Sequence, residues 1–237
     1  MTAILAMDTA SPTGSVALYA QGRLEGEVLL HLKTNHAERL LGAIDQLLDG
    51  VGCSLEDLDA LAVVRGPGSF TGLRVGIATA KGLAFSLDLP LVGVSTLETL
   101  AHNVPYAGIQ VCPLLDARKN EVYAGLFRCE AGRMRNVLSE RVVPPEKLLN
   151  AINDETLFIG DGAERYRSLI VRHLGARAHF ALPPLHQPRA AMVAWLAAAE
   201  LGEKGAMSPD VLVPVYLRPS EAELSLLAKD EAGSIEG

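Results

Sequence analysis

The order of predicted strands and helices repeats once along the chain, and this repeat constrains the fold more than any other feature. Apolar runs and turn residues predict strands at 3–7, 15–20 and 24–31, a helix from 35 to about 50, a strand at 59–65 and a helix over 71–87. After a break at 105–108 the same order returns between 109 and 174. Two βββαβα units in tandem predict a duplicated α/β fold with two lobes, each a mixed sheet flanked by helices.

The repeat also sets the expected division of the chain. We assign residues 1–104 to the first lobe and 105–188 to the second, and we expect an alanine-rich helix at 189–200 to complete the first lobe. Residues 219–237 have no sustained periodic pattern, which predicts a mobile tail. The tail holds five acids and one lysine, so it carries −4 of the formal net charge of −7.

Composition excludes several classes of protein. A chain with 49% apolar and 21% charged residues is not disordered. The excess of acidic residues, 28 against 21 basic ones, argues against a protein that binds nucleic acid without the help of a partner. The three cysteines are scattered without a CxxC pair, which indicates neither a disulfide framework nor a zinc cluster. With no secretory signal and no membrane helix in the sequence, we expect a soluble cytoplasmic protein.

The first candidate site is the run Asp8-Thr9-Ala10-Ser11, at the end of the first predicted strand. Actin-like ATPases hold phosphate and magnesium with an Asp and small hydroxyl residues on such a hairpin, but an Asp that fixes its own turn is the plainer alternative. A complete site needs a second phosphate loop in lobe two, where residues 116–121 contain no glycine and carry long side chains. We therefore predict a vestigial phosphate site at Asp8, Thr9 and Ser11, and no cofactor unless ATP or ADP binds at a subunit interface.

Residues 66–81 (GPGSFTGLRVGIATAK) form the second candidate, although no Gly-Lys-Ser/Thr follows the glycines as a P-loop requires. In the predicted helix, small residues recur every four positions, at Gly72, Gly76, Ala80 and Ala84. Each helix glycine costs about 1 kcal/mol relative to alanine, so a close backbone approach should compensate for the two. Either this stripe packs on the sheet of its own lobe, or it forms, with the first helix, a seam to another subunit.

Five blocks of the sequence resemble the bacterial TsaB family, formerly called YeaZ. In order along residues 4–218 they are DTAS at 8–11, the stretch 66–84, STLETLA at 95–101, DAR with EVY at 116–118 and 121–123, and GDGA at 160–163. The resemblance implies an actin-like two-lobe fold (ASKHA, ribonuclease H-like) and a helix-mediated complex with the catalytic homologue TsaD. With the ATPase TsaE, that complex transfers a threonylcarbamoyl group to the adenosine beside the anticodon of tRNAs that read ANN codons.

The same resemblance bears on whether this chain is catalytic. The catalytic homologues carry two metal-binding histidines, spaced as HxxxH, after a strand similar to VGV at 92–94. Aligned on that strand, this chain has Thr96 and Leu100 at the two positions, and Leu100 cannot bind a metal. We therefore predict a non-catalytic subunit with no metal site. The alternatives are an ATP-dependent phosphotransferase or ATPase of the same fold, or a glycoprotease-like peptidase.

On the hypothesis of a seam, the first two helices bind the partner. The predicted contact residues are mostly apolar or small, with a histidine at the start of the first helix: His36, Leu40, Leu41, Ile44, Leu48, Gly72, Leu73, Gly76 and Ala80. Gly76→Leu or Ala80→Arg is then expected to abolish association and leave the monomer folded. We expect a TsaD-like subunit and a TsaE-like ATPase as partners, a homodimer when the chain is alone, and contact with tRNA only through the complex.

Overall fold

The computed structural model describes residues 2–31, 36–130, 133–204 and 208–218, so the predicted tail at 219–237 lies outside the described residues. The strands of the first lobe are β1 (Ile4–Asp8), β2 (Thr13–Ala20), β3 (Arg23–His31), β4 (Ala60–Gly66) and β5 (Leu91–Ser95). Its helices are α1 (His36–Val51), α2 (Phe70–Leu87) and α3 (Thr96–Ala101).

The second lobe repeats this arrangement. Its strands are β6 (Gln110–Asp116), β7 (Val122–Glu130), β8 (Arg133–Val143), β9 (Thr156–Ile159) and β10 (Ala178–Phe180). Its helices are α4 (Pro145–Leu149), α5 (Asp161–Arg165) and α6 (Arg167–Leu174), and α7 (Ala190–Lys204) follows. Among the described residues, none of the helices combines the length and the apolar character needed to cross a membrane.

The two sheets have the same topology, which confirms the predicted duplicated fold. The strand orders are β3-β2-β1-β4-β5 and β8-β7-β6-β9-β10. In each sheet, the central strand is antiparallel to the next strand in the chain and parallel to the fourth strand of the same lobe.

Two details of the structure differ from the sequence prediction. The repeat predicts a single helix at the end of the second unit, but this helix divides at Tyr166, whose φ of −100° and ψ of 13° leave helical geometry. The three-residue strand β10 is too short for a periodic signal.

Both faces of the first sheet are covered at β1, β4 and β5, and this explains why these three strands are mostly apolar. On one face, side chains such as Leu5 and Met7 pack in a cluster with α1 and α2. On the other face, small residues such as Ala6 and Ala62 pack against the alanines of α7. Successive residues of a strand point to opposite faces, so this alternation of large and small side chains lets α7 lie close to the sheet.

Helix α3 joins the two lobes. Its residues Leu97 and Leu100 are fully buried in a cluster with residues of the second sheet such as Val111 and Phe127. Ser95 caps the helix, because its Oγ accepts a hydrogen bond from the N–H of Glu98 at 3.2 Å. The Ser95 hydroxyl also donates to Glu140 of β8. Burial raises the pKa of Glu140, since the charged carboxylate loses solvation in the interface between the lobes.

Residues 210–218, here called the C-terminal strap, connect the lobes a second time. Leu212 is 1% exposed in the core of the first lobe, and the N–H of Val215 donates to the carbonyl of Arg65 at 2.7 Å. The strap fits over a glycine: a Cβ at Gly66 would lie 2.5 Å from the Val215 carbonyl oxygen. Beyond this point Arg218 donates to the Ala117 carbonyl at 2.9 Å and forms an ion pair with Glu121, both in the β6–β7 turn of the second lobe.

Loss of the Arg218 contacts should destabilise the second lobe. We expect Arg218→Ala to lower the free energy of unfolding by about 1–3 kcal/mol, the usual worth of a hydrogen bond to a charged group. It should also speed amide hydrogen exchange in the β6–β7 turn, as measured by mass spectrometry. Arg172→Ala, an exposed change on α6, is the control. Identical exchange in the turn of both variants would contradict the role of the strap.

Candidate functional site

A cavity of about 450 Å³ lies in the cleft between the lobes. The β1–β2 turn and the start of α2 form one wall, with Ser11 and Ser69 among the lining residues. The β6–β7 turn and the start of α5 form the other wall, which includes Asp116, Arg118 and Asp161. The duplicated fold therefore brings corresponding turns of its two halves face to face, as a phosphate-binding cleft between two lobes requires.

Asp8 ends β1 and fixes its own turn. The carboxylate is fully buried, and Oδ1 accepts a hydrogen bond from the N–H of Ala10 at 2.9 Å, while Oδ2 has no hydrogen-bond partner among the described residues. Burial raises the pKa of Asp8 from 3.8 to about 7, and the hydrogen bond from Ala10 offsets only part of this effect. Asp8 is consequently largely protonated below neutral pH in the folded chain.

Thr9 and Ser11 lie in the same turn as Asp8, but both hydroxyls are used inside the protein. Thr9 Oγ1 donates to the carbonyl of Gly72 at 2.7 Å. Ser11 Oγ donates to the carbonyl of Thr13 at 2.9 Å and accepts from its N–H at 3.3 Å. The structure thus brings the three predicted phosphate-site residues together, with their polar groups serving the turn itself.

The glycines of the second candidate segment allow α2 to press against this turn. A Cβ at Gly72 would lie 1.9 Å from the carbonyl oxygen of Thr9, and a Cβ at Gly76 would lie 2.3 Å from Thr9 Oγ1. The N–H of Ser69 donates to the carbonyl of Ala10 at 2.7 Å. Of the two alternatives drawn from the sequence, the packing of the small-residue stripe within its own lobe is therefore the one that the structure contains.

This packing changes the interpretation of the predicted seam. Most of its residues are buried in the first lobe, at 5% exposure or less for every side chain in the following set: Leu40, Ile44, Leu48, Leu73 and Ala80. Leu41 is 49% exposed, and the side chain of His36 lies outside the described residues. Gly76→Leu and Ala80→Arg cannot leave the monomer intact, because the new side chains would overlap buried atoms. That expectation was wrong, whereas partner contact through the two helices stays a prediction.

A second surface on the same helices is exposed to solvent, and only Leu41 of its residues was among the contacts predicted from the sequence. We call it the outward face of α1 and α2 and define it by exposed residues of both helices: Leu41, Gly42, Asp45, Ala78, Gly82 and Phe85. Phe85 is 58% exposed, and a Cβ at Gly42 or Gly82 would meet no atom of the described part of the chain within 4 Å. The sequence signal was the spacing of four between Ala78 and Gly82, which the more regular stripe at 72, 76, 80 and 84 obscured.

The β6–β7 turn places charged side chains opposite the Asp8 turn. Asp116 Oδ2 forms ion pairs with Arg118 at 3.2 Å and with Arg165 at 3.0 Å. Three consecutive residues, 118–120, have left-handed φ angles of 62°, 51° and 58°. Asp161 accepts a hydrogen bond from the N–H of Asp116 at 3.0 Å, and burial raises its pKa. Side chains thus occupy the place where a phosphate clamp needs open backbone amides.

Gly160 and Gly162, in the GDG motif, serve packing. A Cβ at Gly160, whose φ is 110°, would lie 2.1 Å from the carbonyl oxygen of Leu114. The N–H of Gly160 donates to Nδ1 of His186 at 2.9 Å, and Nε2 of this buried histidine contacts the carbonyl of Ala181 at 3.1 Å. Because a carbonyl oxygen only accepts, the proton of His186 lies on Nε2.

The positions aligned with the HxxxH histidines lie in α3. Thr96 and Leu100 are both fully buried, and Leu100 belongs to the cluster that joins the lobes. No group of three or more His, Cys, Asp or Glu side chains within the described ranges is arranged to hold a metal ion. These two residues therefore act in packing within the described structure.

The topology and the cleft define the class of this protein: it is a two-lobe actin-like protein. Component A of (R)-2-hydroxyglutaryl-CoA dehydratase from Acidaminococcus fermentans has the same fold, with a TM-score of 0.50 at 12% identity over 84% of this chain and all of that one. A family model described as TsaD, tRNA N6-adenosine threonylcarbamoyltransferase, matches residues 30–226.

Two relatives identify the family. The tRNA threonylcarbamoyladenosine biosynthesis protein TsaB of Bacillus subtilis is 35% identical over 223 residues, which cover 93% of this chain and 96% of that protein. The structure of YeaZ from Pseudomonas aeruginosa superimposes with a TM-score of 0.80 at 34% identity, over 92% of this chain and all of that one. The chain belongs to the TsaB family, which confirms the resemblance found in the sequence.

Proposed function

We propose that this chain takes part in tRNA threonylcarbamoyladenosine biosynthesis as a non-catalytic subunit that binds and supports a TsaD-like catalytic homologue. Family membership supports the pathway, because the relatives at 35–38% identity are biosynthesis proteins of that name. The observation that carries the supporting role is the exposed outward face of α1 and α2. In this proposal a TsaE-like ATPase acts with the complex, and tRNA contacts the chain only through its partners.

The donors of the cleft do not fit a magnesium nucleotide. Such a ligand needs an ionised carboxylate that orders the waters of the metal and free donors around the phosphates. Asp8 is buried and its Oδ1 accepts a hydrogen bond from its own turn, and the hydroxyls of Thr9 and Ser11 donate to backbone carbonyls. We therefore propose no nucleotide cofactor for this cleft and derive no catalytic step from it.

The outward face fits a helix of another subunit. Gly42 and Gly82 have no neighbour that explains the lack of a side chain, although each helix glycine costs about 1 kcal/mol relative to alanine. Small residues at 78 and 82 let a second backbone approach, and the exposed side chains of Leu41 and Phe85 supply apolar area. A two-helix face of this kind can contribute roughly 800 Å² per partner, the usual size of a stable interface. In the absence of a partner, the same face can pair with a second copy of the chain.

The outward face gives a direct test of association. We expect Gly82→Arg to weaken binding to a TsaD-like subunit by more than about tenfold, because the long charged side chain would separate the helix backbones. The monomer should stay folded, since position 82 has free space around it. Val171→Arg, at an exposed apolar position on α6, is the matched control. Analytical ultracentrifugation of the mixed subunits measures the effect, and equal binding by both variants would exclude this face.

Reconstitution of tRNA modification tests the function itself. With TsaD-like and TsaE-like subunits and tRNA present, omission of this chain should abolish formation of threonylcarbamoyladenosine, and Gly82→Arg should reproduce most of that loss. Modification that proceeds equally well without the chain would overturn the proposed role. Calorimetry with ATP and magnesium on the isolated chain tests the enzyme alternative. Micromolar binding that Asp8→Ala removes would favour an ATPase instead.

A further inference from the structure

A second cavity, of about 480 Å³, lies away from the cleft, where α7 meets the end of α3 and the segment 183–185. We call it the Trp195 groove. Its walls are largely apolar and include Leu185 and Met192 together with two exposed aromatic residues, Tyr106 at 84% and Trp195 at 39% exposure. Cavities of several hundred Å³ with apolar walls and a few fixed polar groups are typical of small-molecule sites.

Two polar side chains of the groove, those of His102 and Asn103, offer hydrogen-bond acceptors. His102 is 4% exposed, and its Nδ1 lies 2.9 Å from the carbonyl oxygen of Glu98. Because a carbonyl oxygen can only accept, the proton lies on Nδ1 and leaves a lone pair on Nε2. Asn103 Nδ2 donates both of its hydrogens, to the carbonyls of Leu185 at 2.9 Å and Gln187 at 2.8 Å, which leaves Oδ1 as an acceptor.

These two acceptors are fixed but unused by the protein. Neither Nε2 of His102 nor Oδ1 of Asn103 makes a hydrogen bond to another residue in the part of the chain that the structure describes. The orientation of both side chains is set by backbone carbonyls, so neither can turn to become a donor. The groove therefore presents acceptors on adjacent residues and is matched by a ligand with N–H donors.

The charge of the groove disfavours an anionic ligand. Its one guanidinium, on Arg189, is paired with Glu27, which also accepts the N–H of Ala191 at 3.1 Å. An adjoining cavity shares His102 and Trp195, and its walls include the acidic residues Glu98, Glu200 and Glu203 with Arg135 as a basic residue. A phosphate group that reached the adjoining cavity would lie close to these carboxylates.

We propose that the Trp195 groove binds a neutral planar ring that carries amino N–H donors, of the aminopurine or aminopyrimidine class. The ring would pack on the indole of Trp195 and the exposed ring of Tyr106, which supply its apolar contact area. Its amino group would donate to Nε2 of His102 and Oδ1 of Asn103. This site lies apart from the interlobe cleft and does not depend on the function proposed above.

The experiment uses the full chain, whose only tryptophan lies in the groove and reports on it through fluorescence. Adenosine should quench the Trp195 fluorescence saturably, with a dissociation constant on the order of 0.1 mM, as ligands of this size reach in an open groove. N6,N6-dimethyladenosine, which has no amino hydrogen, should bind about tenfold more weakly. Adenosine monophosphate should bind more weakly than adenosine because of the nearby carboxylates.

Two variants separate recognition from folding. His102→Phe keeps a ring at this position and removes the acceptor, so it should reduce the preference for adenosine over its dimethyl analogue. Tyr106→Ala changes an exposed side chain and should therefore leave the melting temperature unchanged. It should weaken the binding of both adenosine and its dimethyl analogue. No saturable quenching by adenosine, equal affinity of adenosine and its dimethyl analogue, or tighter binding of the monophosphate would each overturn the proposal.

Discussion

Gly72→Ala is expected to lower the free energy of unfolding by about 3 kcal/mol or more. The new Cβ would lie 1.9 Å from the carbonyl oxygen of Thr9, a backbone atom in the turn between β1 and β2. This turn cannot move aside easily, because two hydrogen bonds hold it to α2. Thr9 Oγ1 donates to the carbonyl of Gly72, and the N–H of Ser69 donates to the carbonyl of Ala10. Urea denaturation followed by circular dichroism measures the loss.

Another glycine of α2 provides a control, because its replacement is expected to raise the free energy of unfolding instead of lowering it. Gly82→Ala adds a methyl group where nothing lies within 4 Å, so it should stabilise the protein by about 1 kcal/mol through helix propensity alone. A loss of less than about 1 kcal/mol in Gly72→Ala, relative to the unaltered protein, would show that α2 does not press against the β1–β2 turn as described.

Asp8→Asn is expected to stabilise the protein at pH 8 by up to about 4 kcal/mol and to have little effect at pH 4. The carboxyl of Asp8 has a pKa of about 7 in the folded chain, compared with 3.8 as its usual value. A carboxyl whose pKa is raised by folding stabilises the folded state fully at low pH, and this contribution is lost as the pH rises through about 7. Asn keeps an acceptor for the N–H of Ala10 and cannot ionise, so its contribution does not fall with pH.

The pH dependence is measured by urea denaturation between pH 4 and pH 8 in the unaltered protein and in the variant. Asp49→Asn replaces an exposed carboxylate on α1 and is expected to leave the dependence unchanged. Burial also raises the pKa of Glu140 and of Asp161, so only the difference between the two curves belongs to Asp8. Parallel curves for the unaltered protein and Asp8→Asn would refute a buried, protonated Asp8.

Much of the fold followed from local patterns. Apolar strand runs, turn residues and helical spacing are local consequences of backbone geometry, and their repetition predicted the two matching sheets. The elements that the sequence missed depend on other signals. Tyr166 divides a helix through its backbone angles alone, and the C-terminal strap is held by contacts with Arg65, Ala117 and Glu121 that lie far away in the chain.

For the candidate sites, too, some features could be located from the sequence and others only from the structure. The sequence located the Asp8 turn and the glycine-rich helix, but α2 has small residues on two sides, at 72, 76 and 80 and at 78 and 82. Periodicity cannot decide which side meets the sheet, because both sides have low side-chain volume. The Trp195 groove gave no sequence signal, since its walls come from segments around 24, 102–106, 184–185 and 189–195.

The duplicated two-lobe fold and the TsaB family could be inferred from the sequence, because hydrophobic periodicity and the glycine-rich segment are patterns of consecutive residues. The contacts of each of those residues became known only from the three-dimensional structure. It buried the carboxyl of Asp8 and placed Gly72 and Gly76 against Thr9, and it left Gly82 and Phe85 exposed on the surface. The burial of a side chain and the close approach of two backbones depend on segments that are far apart in the chain. The periodicity of a sequence gives no distances between such segments.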